Sequence, residues 1–344
     1  MLGQIPTPKS LCILRLSAIG DVCHAVAMVQ QIQKQYPEIA ITWVLGKVEH
    51  MLLKDLPGIE FIIFDKSKGT AAFKELKAVM KGRKFDVLFH MQAALRASIA
   101  SLCISAKIKI GFDRARAREG QWLFTNKKIA AQEQPHVLEG FMAFANAIGV
   151  KTEAPHWLMP FGESERAFAK DSIPQDKFYV VISAAASKAE RNWQPEKYAQ
   201  AAEYLSEKGY HVVLCGGPGA LEVNLGEDII KHANVELINL VGKTNLKQLM
   251  AVLESAKLVI APDTGPTHMA TTVETPVIGL YAHSNPKRTG PYTCQNNVAS
   301  VYEECVLEQR GKPSTQLPWN TRAKGELMHR ISFEMVKEQI DNLL

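Results

Sequence analysis

The stretch Leu258-Val-Ile-Ala-Pro-Asp-Thr-Gly-Pro-Thr-His-Met-Ala-Thr272, continuing through Pro276 to Tyr281, leaves this chain few folds to choose from. An apolar run at 258–261 has the length and continuity of a strand buried on both faces. Asp263, Thr264, Gly265 and Pro266 then supply a helix start, because Asp and Thr cap well and Pro suits the first turn. A helix beginning near Pro266 carries His268 in its first turn, and a second apolar strand follows at 276–281. Strand, tight turn, helix and strand make a βαβ unit. Its polar residues gather at the carboxyl end of a strand, where open α/β sheets bind ligands and helix N–H groups meet anions. Asp263 alone reads equally well as a cap. Asp263, Thr264, Gly265 and His268 together read as a site.

The same alternation repeats along the 344 residues. Apolar runs at 11–16, 39–45, 59–64, 85–91 and 108–112 predict strands, separated by helical spacings at 22–36, 66–84, from Arg96, and at 136–148. A second series has strands at 178–182, 211–215, 236–240, 258–261 and 276–281. Its helices are expected at 195–208, from Glu222, at 246–255 and from Pro266. Residues 283–325 read as irregular, and 326–344 as a last helix with Leu327, Ile331, Val336 and Ile340 on one side. The expected fold is α/β, two Rossmann-like parallel-sheet domains with a central cleft between them. The domains are 1–155 and 177–325, joined by a linker at 156–176 that contains Pro160 and Pro174. Neither half has GxGxxG after a strand or GxxxxGK[ST], which argues against a classical NAD enzyme and a P-loop ATPase.

Charge is unevenly divided. Residues 1–150 hold 20 Lys+Arg against 12 Asp+Glu, a net of +8; residues 151–344 hold 20 against 23, a net of −3. An anionic partner is therefore expected on the first half. No apolar run approaches the ~20 residues that span a bilayer, and Met1 to Ser10 lack the apolar core of a signal segment. Cys12, Cys23, Cys103, Cys215, Cys294 and Cys305 form no CxxC pair, so neither a disulfide framework nor a zinc site is expected, and a reducing cytoplasm is.

In the second half, three strand ends converge. Ser187, Lys188 and Arg191 offer a hydroxyl and positive charge, and a guanidinium fits phosphate in a bidentate way. Glu222, after the Gly216-Gly-Pro-Gly219 turn, can accept hydrogen bonds from two sugar hydroxyls. Asp263, Thr264, Gly265 and His268 complete a ring suited to a nucleoside diphosphate joined to a further group. In the first half, Asp21 follows the first strand in a Gly loop. It reads as a general base, as a helix cap, or as both.

These motifs carry a family likeness. Asp263 to Ala270 with Thr275 to Tyr281 resembles the signature of glycosyltransferase family 9, the ADP-heptose:lipopolysaccharide heptosyltransferases. Leu14 to Val22 resembles the family's N-terminal motif. Further similarity runs through Phe85-Asp-Val, Gln92, Ala117-Arg-Glu119, His136, Arg191-Asn-Trp193 and Gly216-Gly-Pro218, so it covers nearly the whole chain.

The resemblance implies a GT-B fold whose last helix, 326–344, packs back on the N-terminal domain. It implies inverting transfer of heptose from ADP-L-glycero-D-manno-heptose to Kdo of the lipid A inner core. Asp21 would be the base, and Ser187, Arg191, Glu222, Thr244, Asp263, Thr264, Gly265 and His268 would hold the donor. Gln92, Arg96, Arg114, Arg116, Arg118 and His136 are the acceptor-side candidates. No cofactor, metal or nucleic acid is expected; the partners are ADP-heptose, Kdo–lipid A and the cytoplasmic face of the inner membrane, touched peripherally. The loop Ser183-Ala-Ala-Ala-Ser187 looks like the first-heptose type. Arg191 stands where the family often has Lys, Gln194 where Pro is common, and Ala186 where a hydroxyl residue occurs. A nucleotide-sugar 2-epimerase and a non-catalytic ADP-sugar-binding module are the competing readings.

Overall fold

Parallel strands covered by helices on both faces must be apolar throughout, and the strands here are: Leu11 to Leu14, Val180 to Ile182 and Leu258 to Ala261 are all fully buried. The computed structural model describes residues 7–133 and 135–344. The first six residues, part of the stretch read above as lacking a signal segment, lie outside it.

The chain divides into two units between Pro160 and Phe161. The first has strands β1 (Ser10–Leu14), β2 (Ala40–Leu45), β3 (Ile59–Ile63), β4 (Phe85–His90), β5 (Ala106–Gly111) and β6 (Lys127–Lys128). Its helices are α1 (Ile19–Gln35), α2 (Lys47–Leu53), α3 (Thr70–Met80), α4 (Leu95–Ser101) and α5 (Val137–Ala147). The second unit opens with α6 (Glu163–Ser172). It continues with β7 (Tyr179–Ile182), α7 (Pro195–Glu207), β8 (His211–Leu214), α8 (Ala220–His232), β9 (Ile238–Asn239) and α9 (Leu246–Ser255). Then come β10 (Leu258–Pro262), α10 (Gly265–Thr272), β11 (Val277–Tyr281), α11 (Pro286–Thr289), β12 (Val298–Ser300), α12 (Tyr302–Arg310) and α13 (Phe333–Leu343).

Each unit forms one six-stranded parallel sheet, ordered β3-β2-β1-β4-β5-β6 and β12-β11-β10-β7-β8-β9. Counted within its own unit, each order is 3-2-1-4-5-6, the doubly wound arrangement. The strand order reverses between β1 and β4, and between β7 and β10; ligands bind at such points.

Several expectations need correction. Residues 283–325 are not irregular throughout, for they contain α11, β12 and α12. The 66–84 helix is broken: Asp65 Oδ1 accepts hydrogen bonds from the Ser67 amide (3.0 Å) and hydroxyl (2.6 Å) to close a 3₁₀ turn. Gly69, at φ +56°, then ends the turn before α3 begins. The 156–176 linker contains a helix, α6, which packs on α9. Arg166 of α6 meets Glu254 of α9 through two hydrogen bonds of 2.7 and 2.9 Å. The last helix starts only at Phe333, where the Ser332 hydroxyl accepts the Met335 N–H. Its apolar stripe packs within the second unit: Val336 and Ile340 are fully buried in that unit's core, against α7, β11 and β12.

Among the described residues no helix is long and apolar enough to cross a membrane. All six cysteines are free.

Candidate active site

The second unit starts a helix at the carboxyl end of β10. Thr264 sits in extended backbone as the cap, and α10 starts at Gly265 with Pro266 in its first turn. The Thr267 and Thr271 hydroxyls donate to the carbonyls of Pro262 (2.6 Å) and Thr267 (3.0 Å), so they are consumed by the helix itself. Asp263 is not a cap. Its Oδ2 accepts the Ser284 hydroxyl at 2.5 Å, and its Oδ1 lies 3.9 Å from His268 Nε2. Burial pushes the Asp263 carboxyl up. Hydrogen bonding and charge from His268, the Ser284 hydroxyl and the Arg322 charge outweigh this and hold it below the ordinary carboxylate range.

Arg191 ends the 3₁₀ turn Ala189–Arg191 after β7. Asn192 Oδ1 accepts the Ala186 N–H at 2.8 Å and so folds the 186–192 loop back on itself. Burial first, and then the like charge of Arg322, lower the Arg191 pKa from its ordinary value; Asp263 opposes them. Arg191, Arg322 and Asp263 thus share one electrostatic neighbourhood, with the Glu190 carboxylate also acting on Arg191. Arg191 Nε and Arg322 Nη1 are both buried without a hydrogen-bond partner among the described residues. Donors held dry and unpaired cost free energy, and a two-charged anion would relieve that cost.

Sequence reasoning missed Arg322, which it placed in an irregular segment. Its position depends on one antiparallel bridge, Ser284 with Arg322, and on Ala323 N–H donating to His283 O at 3.0 Å. His283 Nε2 lies 2.8 Å from Gly325 O and pins the same segment. Ser284 was missed for the same reason.

Glu222 lies in the first turn of α8, and its carboxylate accepts the Gly217 N–H. A Cβ at Gly216 or Gly217 would stand 3.0 or 2.9 Å from that carboxylate, so glycine there leaves room for the carboxylate in this position. Gly242 N–H donates to Gly216 O at 2.9 Å. This brings the loop carrying Thr244 alongside the Glu222 turn. Ser187 is exposed on the loop after β7. The donor-side candidates therefore all lie at the carboxyl ends of β7 to β10 and the helices that follow them.

In the first unit, Asp21 is in the first turn of α1. Its Oδ2 accepts the Ala18 N–H at 3.2 Å and pairs with Arg15; Oδ1 takes part in neither contact. Arg15 donates to Met91 O at 2.5 Å and stacks over the Phe141 ring at 5.3 Å. Gln92 Oε1 accepts the N–H groups of Leu16 (2.7 Å) and Ser17 (3.3 Å), and its Nε2 donates to the Ser17 hydroxyl at 3.2 Å. Gln92 is thus tied to the loop that leads into the first turn of α1, where Asp21 lies.

The other acceptor-side candidates separate by burial. Arg116 is buried and paired to Asp113 at 3.0 Å; Gly140 of α5 leaves room for its side chain. His136 is buried and caps α5, accepting the Leu138 N–H at 3.1 Å, with its ring edge-on to His24. Both serve the fold. Arg118 is half-buried, and Arg96 and Arg114 are exposed.

Arg96 lines a cavity of about 470 Å³ at the carboxyl ends of β1 to β4, together with Ser17, Lys47, Glu49, Lys66 and Gln92. Burial raises the Glu49 carboxyl above its ordinary value. Lys47, Glu49 and Lys66 had no sequence signal beyond their charge.

Residues 73–319 match the profile of glycosyltransferase family 9 (heptosyltransferase). The chain belongs to glycosyltransferase family 9. It is a glycosyltransferase, and the resemblance read from the sequence is correct. The lipopolysaccharide core heptosyltransferase OpsX of Haemophilus influenzae is 48% identical over 337 residues, which is 98% of this family 9 chain and 97% of that one. Two solved structures share its fold. A family 9 glycosyl transferase from Veillonella parvula has a TM-score of 0.80 at 21% identity, covering 99% of this chain and 98% of that one. The Escherichia coli heptosyltransferase WaaC, solved with ADP, has a TM-score of 0.73 at 20% identity, covering 97% and 100%. The fold is the GT-B type of those heptosyltransferases.

Proposed function

We infer that this enzyme is a lipopolysaccharide core heptosyltransferase. It transfers heptose, with inversion, from ADP-L-glycero-D-manno-heptose to Kdo of the lipid A inner core, and it adds the first heptose. The observation that carries the donor reading is the pair of buried, unpartnered guanidinium nitrogens on Arg191 and Arg322, whose charges both act on Asp263, two residues before α10. The 48% identity to a core heptosyltransferase supports the sugar and the pathway.

In the reaction, the acceptor hydroxyl oxygen attacks the anomeric carbon from the face opposite ADP. The new glycosidic C–O bond forms as the anomeric C–O bond to phosphate breaks, and ADP leaves with the bonding electrons. Asp21 takes the hydroxyl proton, on the Oδ1 that its cap and ion-pair contacts leave unused. Arg191, Arg322, His268 and the first N–H groups of α10 meet the charge that develops on the leaving diphosphate. Glu222 and Thr244 serve the nucleoside side, with Ser187 at the rim. The scheme asks for no metal, because the guanidinium groups supply the countercharge. Arg96 and the lysines of the first-unit cavity meet the acidic acceptor sugar at the cytoplasmic face of the inner membrane.

The test is mass spectrometry of Kdo–lipid A incubated with ADP-heptose and the protein. A mass gain of one heptose is expected. Consumption of nucleotide sugar without acceptor would mark an epimerase-like enzyme, and donor binding without turnover a sensor.

A further inference from the structure

Exposed apolar side chains scattered singly are ordinary on a soluble protein, but a contiguous group is not. Leu95 and Ile99 of α4 and Leu102, its C-cap, lie at helical spacing on one face, and each is exposed, Leu102 by 66%. The 3₁₀ turn Gln121–Phe124 packs against α4 and presents Trp122, 63% exposed, and Leu123, 77% exposed. These five residues make one ridge on the first unit.

The ridge is rigid. Gln121 is buried under it, its Nε2 donating to His90 O at 2.8 Å and its Oε1 accepting the Phe112 N–H at 3.2 Å. Glu119 accepts the Leu95 N–H at 2.6 Å and fastens the preceding loop to the first turn of α4. Nothing in the donor or acceptor chemistry uses Trp122 or Leu123.

We propose that this ridge seats in the interfacial layer of an anionic phospholipid bilayer, with Trp122 and Leu123 as its deepest residues. The occupant follows from charge. Exposed Arg96 follows Leu95 on α4, exposed Lys128 follows the turn by four residues, and the unit carries a strong positive excess. A second copy of this chain docked symmetrically would set these cations against their equals, whereas anionic headgroups complement them. Trp at an apolar–polar boundary beside basic residues is the composition of an interfacial contact. Arg96 belongs to both the ridge flank and the cavity wall, so the cavity opens beside the docked surface. This proposal rests on the reading that the acceptor is lipid-borne; the bilayer contact itself is tested without acceptor.

The experiment is co-sedimentation of the full chain with phosphatidylethanolamine–phosphatidylglycerol vesicles, alongside Trp fluorescence in vesicles of brominated lipid. Wild type is expected to sediment and to be quenched. Trp122→Phe should sediment nearly as well with the quenching largely gone. Trp122→Ser/Leu123→Ser should lower partitioning by at least about tenfold, the loss expected when two large side chains no longer bury. Circular dichroism and ADP affinity unchanged in the double variant confirm that it is folded. Double-variant sedimentation equal to wild type, or quenching that survives Trp122→Phe, overturns the proposal. So does a wild-type dimer that the double variant abolishes with no change in vesicle binding. Transfer to a deacylated acceptor separates the two readings. If transfer fails in every variant while vesicle binding follows the pattern above, the donor–acceptor reading falls and the docking surface stands.

Discussion

Replacing Arg191 by Ala tests the diphosphate cradle at its most exposed assumption, that two guanidinium groups are held ready for one dianion. A charge-assisted hydrogen bond to phosphate contributes about 1.5–3 kcal/mol net. At 1.4 kcal/mol per factor of ten, Arg191→Ala should weaken ADP binding by about 10- to 150-fold. Adenosine lacks the diphosphate, so its affinity should change by less than about threefold. The apo protein carries the opposite sign. Arg191 keeps a buried Nε without a partner and feels the like charge of Arg322, so its removal should leave stability level or raise it. Arg191→Lys keeps the charge but loses the fork, and should fall between wild type and Ala. Isothermal titration calorimetry with ADP and adenosine measures the first effect, and thermal unfolding of the apo protein the second. Equal losses for both ligands would refute the cradle. So would a fall in Tm of more than about 5 °C, the scale of roughly 1 kcal/mol or more, since the arginine would then be holding its loop in shape.

Asp21→Asn should lower turnover by about 10²- to 10⁴-fold with ADP affinity unchanged, as for a lost general base; steady-state kinetics with wild-type turnover would leave the residue as no more than a cap. Burial lowers the His90 pKa from 6.5 to about 4. The unfolded chain therefore takes up that proton first on acidification, and the contribution of neutral His90 is complete above pH 6.5 and lost as pH falls toward 4. The loss is at most about 3 kcal/mol at 1.36 kcal/mol per pH unit, and urea unfolding between pH 7 and 4.5 should show a shallower fall in His90→Gln. Gly140→Ala would set a Cβ 3.2 Å from Arg116 Nε and 3.3 Å from its Cδ. Arg116 is pinned by Asp113 and cannot swing aside, so a cost of about 1–3 kcal/mol is expected in denaturant unfolding, with no change in ADP affinity.

Ten of the twelve strands among the described residues were legible because doubly covered parallel strands are continuous apolar runs, and 178–182 or 258–261 can hardly be read otherwise; the edge strands β6, a pair of lysines, and β12, three residues long, carry no such run and were missed. The turn Asp263 to His268 was legible because its chemistry is local. What escaped depends on pairing across the chain. Arg322 reaches the site through a single bridge to Ser284, and no periodicity announces a bridge of one residue. Arg116 looked like one of three equivalent surface arginines. Only the fold shows that Asp113 and a glycine on α5 make a buried seat for it. The 326–344 stripe was read correctly as apolar, but amphipathicity fixes which face is buried and not what covers it; Val336 and Ile340 are taken by the second core.

Gln92 has a mechanical consequence. Its backbone belongs to the segment that leads into α4 and Arg96, along one wall of the first-unit cavity. Its amide is bolted at three points to the loop from Leu16 to Ser17, a single residue short of the N–H that Asp21 holds. A push on that wall does not dissipate in a flexible side chain; it arrives as a shift of the amides that aim the carboxylate. Cavity and carboxylate are two ends of one short lever, and a ligand that fits the wall poorly would also find the carboxylate badly pointed.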